Sequence, residues 1–252
     1  MEPTKEQLKA APIVEFVLDI DCDLPVSLAL ENIEEAARNC FRARYPKLRK
    51  QFVQQFNIKT KPQAEPESTM SPQHVQAYQF LKDDTKQLVQ LRKEGYSFNR
   101  LQPYSILGDY LQEIETTWND YCTLVSPLHI RCVRLRYINR ILLPMKDGKC
   151  DLDKYLVSAP HLPDDDRLAL TGFVAHRTAV EVKTGHTVNI IQAAQKPEAD
   201  HFPIILDICC MSTDSGDPLD WAWLQSQIML LNDLSNLVFH KSVTPLCLNL
   251  FQ

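Results

Sequence analysis

Glycine is scarce, and its scarcity removes several chemistries at once. Six glycines in 252 residues form no G-x-G-x-x-G, no P-loop and no G-x-S-x-G elbow, so the backbone cradles that hold dinucleotides or phosphates and the strained nucleophile turn have no counterpart. There is no H-E-x-x-H, and none of the eight cysteines (22, 40, 122, 132, 150, 209, 210 and 247) forms a C-x-x-C pair. Reduced thiols packed in apolar elements are therefore expected, with no metal and no cofactor. The seven histidines are dispersed without ligand spacing. No apolar run approaches the roughly 20 residues that a membrane-spanning helix needs. The stretch Met1-Glu-Pro-Thr-Lys-Glu-Gln7 is polar and acidic, so no signal peptide is expected and the expected compartment is the cytoplasm. A net charge of −5 argues against a chain built mainly to hold nucleic acid.

What the chain does contain is 16 prolines, a 44 % apolar fraction and a 23 % charged fraction, the composition of an ordinary globular protein with proline-, Asp- and Asn-based turns. Its clearest element is His129–Pro144. Val133, Leu135, Tyr137, Ile141 and Leu143 alternate with Arg134, Arg136 and Arg140, the period of two that marks a strand with one buried face. A second strand is expected from Ile13 to Ile20, with Glu15, Asp19 and Asp21 on its polar face, suited to pairing with those arginines or to a divalent cation. Further strands are expected over 75–81, 87–92, 96–101, 170–182, 187–194 and 202–211. Helices are expected after Ser27, after Ser105 and from Asp217-Pro218, where an N-cap residue precedes proline. Residues 58–73, rich in proline and polar groups, read as a loop.

Three strands followed by a helix occur over about 75–125 and again over about 169–239. The expected fold class is accordingly α+β: antiparallel sheets with long helices packed on one face, as a duplicated βββα unit. Two α+β halves, 1–148 and 149–252, or one continuous domain, are both compatible with this pattern.

Two polar clusters are candidate sites. Asn99 and Arg100 on one strand, with Arg134, Arg136, Asn139 and Arg140 on another, would converge on an anion or a protein partner if those strands were neighbours, because guanidinium forks suit phosphate and carboxylate. Arg38, Arg42, Arg44, Lys47, Arg49 and Lys50, with Tyr45 and Phe52 available for stacking, form the candidate nucleic-acid contact.

Four stretches also resemble an uncharacterised, sporadically distributed prokaryotic protein family of about 250 residues. They are Pro12-Ile-Val-Glu-Phe16, Gln90-Leu-Arg-Lys-Glu-Gly-Tyr-Ser-Phe-Asn-Arg-Leu101, Arg136-Tyr-Ile-Asn-Arg-Ile141, and the ending from Leu230-Leu-Asn-Asp-Leu234 through Phe239 and Val243-Thr244. The chain departs from the family at Leu142 and Leu143, where an acid is usual. The resemblance implies no catalytic residues; the family's patchy distribution is like that of defence-linked or mobile genes. The function expected is a non-enzymatic protein-interaction or regulatory module, binding another protein or itself, with no membrane role. The alternatives are a nucleic-acid-binding accessory protein and an enzyme acting on a phosphorylated or nucleotide ligand.

Overall fold

The computed structural model describes residue 8 and residues 10–53, 56–59, 67–70, 74–163, 165, 167–168 and 170–252. Its spine is β8, His129–Pro144, which pairs antiparallel with β1 (Ile13–Asp23) on one side and β11 (His201–Ser212) on the other. Beyond β1 follow β7 (Gly95–Leu101), β6 (Gln87–Arg92), β5 (His74–Leu81) and β2 (Lys47–Val53); beyond β11 follow β10 (Thr187–Ala194) and β9 (Val174–Val180). The result is one nine-stranded antiparallel sheet. The strands β3 (Phe56–Lys59) and β4 (Glu67–Met70) form a separate pair.

This corrects the expected fold class. There is one sheet rather than several, and the chain is mostly sheet, about 40 % strand against 28 % helix, with helices that are short beside it. The expected unit of three strands and a helix omitted the strand that opens each half. β1 and β8 pair along their length, so the hydrogen-bond ladder runs through the middle of the chain instead of ending there.

Period-two alternation decides which face is covered. Phe16, Leu18 and Ile20 of β1, Val133, Leu135 and Ile141 of β8, and Ile204, Leu206 and Ile208 of β11 are fully buried on one face. Against that face Phe41 of α1 (Leu30–Phe41) stacks on Phe80 at 5.0 Å, and Trp118 of α2 (Leu111–Val125) meets the edge of Tyr96 at 5.6 Å. Tyr137 donates from its hydroxyl to Asn232 of α3 (Trp221–Ser242) at 2.8 Å. A short last helix, α4 (Pro245–Leu248), is capped by Thr244.

Local expectations fail at helix starts. α1 begins at Leu30 after Ala29, without a side-chain cap, and Ser27 lies outside it. α3 is capped by Asp220, whose carboxylate accepts from the Trp223 amide at 3.0 Å, so Asp217 and Pro218 belong to the turn before it. The expected loop over 58–73 falls mostly outside the described residues, and its described parts are in β3 and β4. The basic stretch from Lys47 proves to be a strand; it gives no apolar alternation because, as an edge strand, it is solvated on both faces.

Candidate functional site

Among the described residues no helix lies on the other face of the sheet. Its residues can be followed strand by strand through the register. One row runs Arg49, Gln79, Gln90, Ser97, Asp19, Arg134, Met211, Thr187, Val180 across all nine strands. The next runs Asn99, Val17, Arg136, Cys209, Asn189, Thr178, and a third runs Leu101, Glu15, Ile138, Asp207, Ile191, His176.

Ion pairs tie the centre of this face. Arg134 grips Asp21 with two nitrogens, at 2.6 and 3.0 Å, and its Nε lies 3.7 Å from Asp19. Arg92, from the end of β6, reaches Asp21 at 2.9 Å and Asp19 at 3.5 Å. Arg136 holds Asp207 in a two-pronged pair at 2.8 and 2.5 Å. Arg140 donates to Gln195 at 2.9 Å and meets Glu198 at 2.6 Å. Uncharged groups continue the network. Gln79 donates to Gln90 and Gln90 to Asn99, each at 3.0 Å; Asn99 donates to Glu15 at 3.2 Å and Ser97 to Asp19 at 2.5 Å. Pairing between the β1 carboxylates and the β8 arginines, one of the two readings of that strand face, is what the structure shows.

Burial opposes the Arg134 charge, but the hydrogen bonds and charge of Asp21 outweigh it, and its pKa is raised. For Arg136 the hydrogen bonds to Asp207 are the largest influence, and its pKa is raised as well. Two thiols sit among these cations. Burial pushes the Cys132 and Cys209 thiols up even though Arg134 and Arg136 pull them down, so both stay protonated and poorly nucleophilic. All eight cysteines are free.

The six candidate binding residues do not converge. β1 separates β7 from β8, so Asn99 and Arg100 are not neighbours of the arginine strand. Arg134, Arg136, Arg140 and Asn99 share the open face. Arg100 points to the other, donating to the Pro103 carbonyl at 3.2 Å with its guanidinium over Tyr110. Asn139 is buried on the helix side, where its amide donates to the Leu206 and Tyr137 carbonyls at 3.0 and 3.4 Å. It sits beside the β1–β8 register shift between Ile13 and Glu15, the place where a ladder loses regular partners. Arg136-Tyr-Ile-Asn-Arg-Ile141 is thus half surface and half anchor.

Half of the second cluster is ion-paired, to two carboxylates. Arg38 pairs with Glu34 at 3.2 Å, Lys50 with Glu34 at 2.6 Å, and Arg44 with Asp120. Lys47 donates to the Asp83 carbonyl. The side chains of Arg42 and Arg49 make no hydrogen bond or ion pair among the described residues.

Sequence reasoning missed Arg92 and Asp207. Asp207 had a signal, being the only acid in the otherwise apolar run Phe202–Met211. Arg92 had none, since only the β6–β7 turn brings it to β1. Among the described residues no group of three or more His, Cys, Asp or Glu is arranged to hold a metal ion, and no helix is long and apolar enough to cross a membrane. Comparison with protein-family models, curated proteins and solved structures finds no match.

Proposed function

We propose that this protein is a non-enzymatic interaction module of the cytoplasm whose working surface is the open face of the sheet, with another protein as its partner. One observation carries the reading: the open face combines Arg92, Arg134, Arg136 and Arg140, each held by an acid, with apolar residues left in water. Leu101 and Leu142 are exposed there, and Ile138 and Ile205 are half-buried between them and Arg140. Apolar patches mixed with fixed guanidinium groups are what protein interfaces favour, whereas free lysine and aspartate are depleted from them. Locking these four arginines in ion pairs lowers the conformational entropy lost on docking. Polyanion binding is less supported, because three of the six basic residues of the Arg38–Lys50 cluster are already paired with Glu34 or Asp120.

Site-specific photo-crosslinking in the native host tests this. Benzoylphenylalanine at Leu101 or Leu142 is expected to give a discrete protein adduct, identifiable by mass spectrometry. The same probe at the exposed helix positions Leu230 and Leu237 is expected to give none. Equal adducts at both sets, or none from the open face, would remove the reading.

A further inference from the structure

The two ends of the sheet are not equivalent. Reading outward from the central pair, β7, β6 and β5 on one side correspond to β11, β10 and β9 on the other. Beyond β5 the chain adds β2. Beyond β9 it adds nothing, and no strand among the described residues pairs with the outer side of β9.

The bond pattern shows which groups are left over. The Ala194 amide donates to the Phe173 carbonyl and the Glu181 amide to the His186 carbonyl, which in the β9–β10 register makes the odd residues the ones bonded inward. The N–H and C=O groups of Val174, His176, Thr178 and Val180 therefore point away from the sheet. Edges left like this are usually blunted by lysine, proline or a bulge. β2, at the other end, carries Lys47, Arg49 and Lys50. The sequence Val174-Ala-His-Arg-Thr-Ala-Val180 has no lysine, proline or bulge, and its one charge, Arg177, is held toward Gln192 and Ser158. Val174 and Val180 are 76 % and 60 % exposed.

We propose that β9 pairs antiparallel with β9 of a second copy of this chain, across a two-fold axis through Arg177, extending the sheet through both protomers. A second copy is the occupant because the strand is complementary to itself in the register that engages all four of its outward residues. With Arg177 on the axis, Val174 faces Val180 of the partner, Ala175 faces Ala179, and His176 faces Thr178. The outward-pointing even residues then meet one another and close the hydrogen-bonded rungs, while Arg177 falls at a non-bonded rung. Two valine pairs lie on the open face, the cross-strand combination that antiparallel pairs favour. The two arginines that meet on the axis would repel each other, but each is drawn inward. Arg177 donates to Gln192 at 2.9 Å, one strand in, and to the Ser158 carbonyl at 3.2 Å. The surface is isologous, so assembly stops at the dimer. It uses the edge and not the open face, so it stands apart from the proposed partner surface.

Sedimentation velocity of the full chain over about 1–200 µM tests it, an edge pairing being a small interface with an expected dissociation constant of about 1–100 µM. A reversible monomer–dimer equilibrium is expected. Thr178→Pro removes one outward N–H that has no role inside the monomer, and is expected to abolish the dimer while the circular dichroism spectrum is kept. Should that variant fail to fold, Val174→Lys/Val180→Lys places like charges opposite across the axis and is expected to give the same loss. Arg177→Cys is expected to form a covalent dimer on mild oxidation that the parent protein, with its eight native thiols, does not form. A chain that stays monomeric throughout, or one that dimerises regardless of these edge variants, overturns the proposal. So does a dimer of the Arg177→Cys variant that oxidation fails to cross-link.

Discussion

The two halves of the sheet follow one strand order and differ in what covers them. On the β5 side, α1 lies against the sheet through the Phe41–Phe80 stack, and β2 closes the row. A polar cluster then ties these layers together: the Tyr45 hydroxyl donates to Glu113 at 2.7 Å, Lys82 to Glu113 at 2.8 Å, and Gln87 to Tyr45 at 2.9 Å. On the β9 side, the only helix among the described residues between β8 and β9 is the single turn Leu152–Lys154. Six of the seven β9 residues are exposed. The same sequence of strands can therefore end as a finished edge or a bare one. What settles it is whether the chain spends a helix and a strand on covering the end, because an outer strand's unpaired N–H and C=O groups are satisfied only when a further strand pairs with them.

The comparison can be broken most severely at the turns. Gly95 joins β6 to β7 with φ of +149°, and a Cβ there would lie 2.0 Å from the Ile20 carbonyl oxygen. Gly95→Ala is expected to cost about 3 kcal/mol or more in urea denaturation, because backbone must move. Gly185, in the β9–β10 turn, has φ of +77° and nothing within 4 Å of its Cβ position. Gly185→Ala is expected to cost only about 1 kcal/mol, the left-handed conformation alone. Equal costs would show that the two turns are packed alike.

Next in size is the central pair. Arg136→Met leaves Asp207, whose side chain is 9 % exposed, as a nearly buried carboxylate without its cation. A loss of about 2 kcal/mol is expected. Arg134→Met is expected to cost less, about 1 kcal/mol, because Arg92 still contacts both Asp19 and Asp21. A double-mutant cycle with Asp207→Asn measures the first coupling directly.

The polar cluster of the covered half gives a pH signature of its own. Burial raises the Glu113 pKa, but hydrogen bonds from Lys82, Gln87 and Tyr45 outweigh it, and the pKa is lowered from its ordinary 4.5. A depressed carboxylate contributes stability above its unfolded-state pKa and loses it as pH falls through the folded value. Glu113→Gln is expected to be about 1 kcal/mol less stable than the parent at pH 7, with the gap closing as pH falls below the ordinary carboxylate value of 4.5. A gap independent of pH would show that hydrogen-bond geometry and not charge is what matters. The smallest effect is at the bare edge, where Val180→Thr is expected to change monomer stability by no more than about 0.5 kcal/mol.

Much of this molecule is determined by local chemistry. The alternation in His129–Pro144 specified a strand with an arginine face and a buried face. Gln87–Arg92 and Thr187–Ala194 were delimited by their turns, and the Asp-Asn-Ser-Pro punctuation marked most connections. Those features depend on near neighbours in the chain, so they can be read from it. Tertiary structure decided what depends on distant partners. It placed β1 between β7 and β8, dividing the expected binding cluster and sending Arg100 and Asn139 to the helix side. It joined the expected separate sheets through the β1–β8 ladder, brought Arg92 to Asp21 and Arg136 to Asp207, and turned a basic, non-alternating stretch into the edge strand β2. Strand order and pairing are set by long-range hydrogen bonds and by which apolar faces can be buried together, and no local period encodes either.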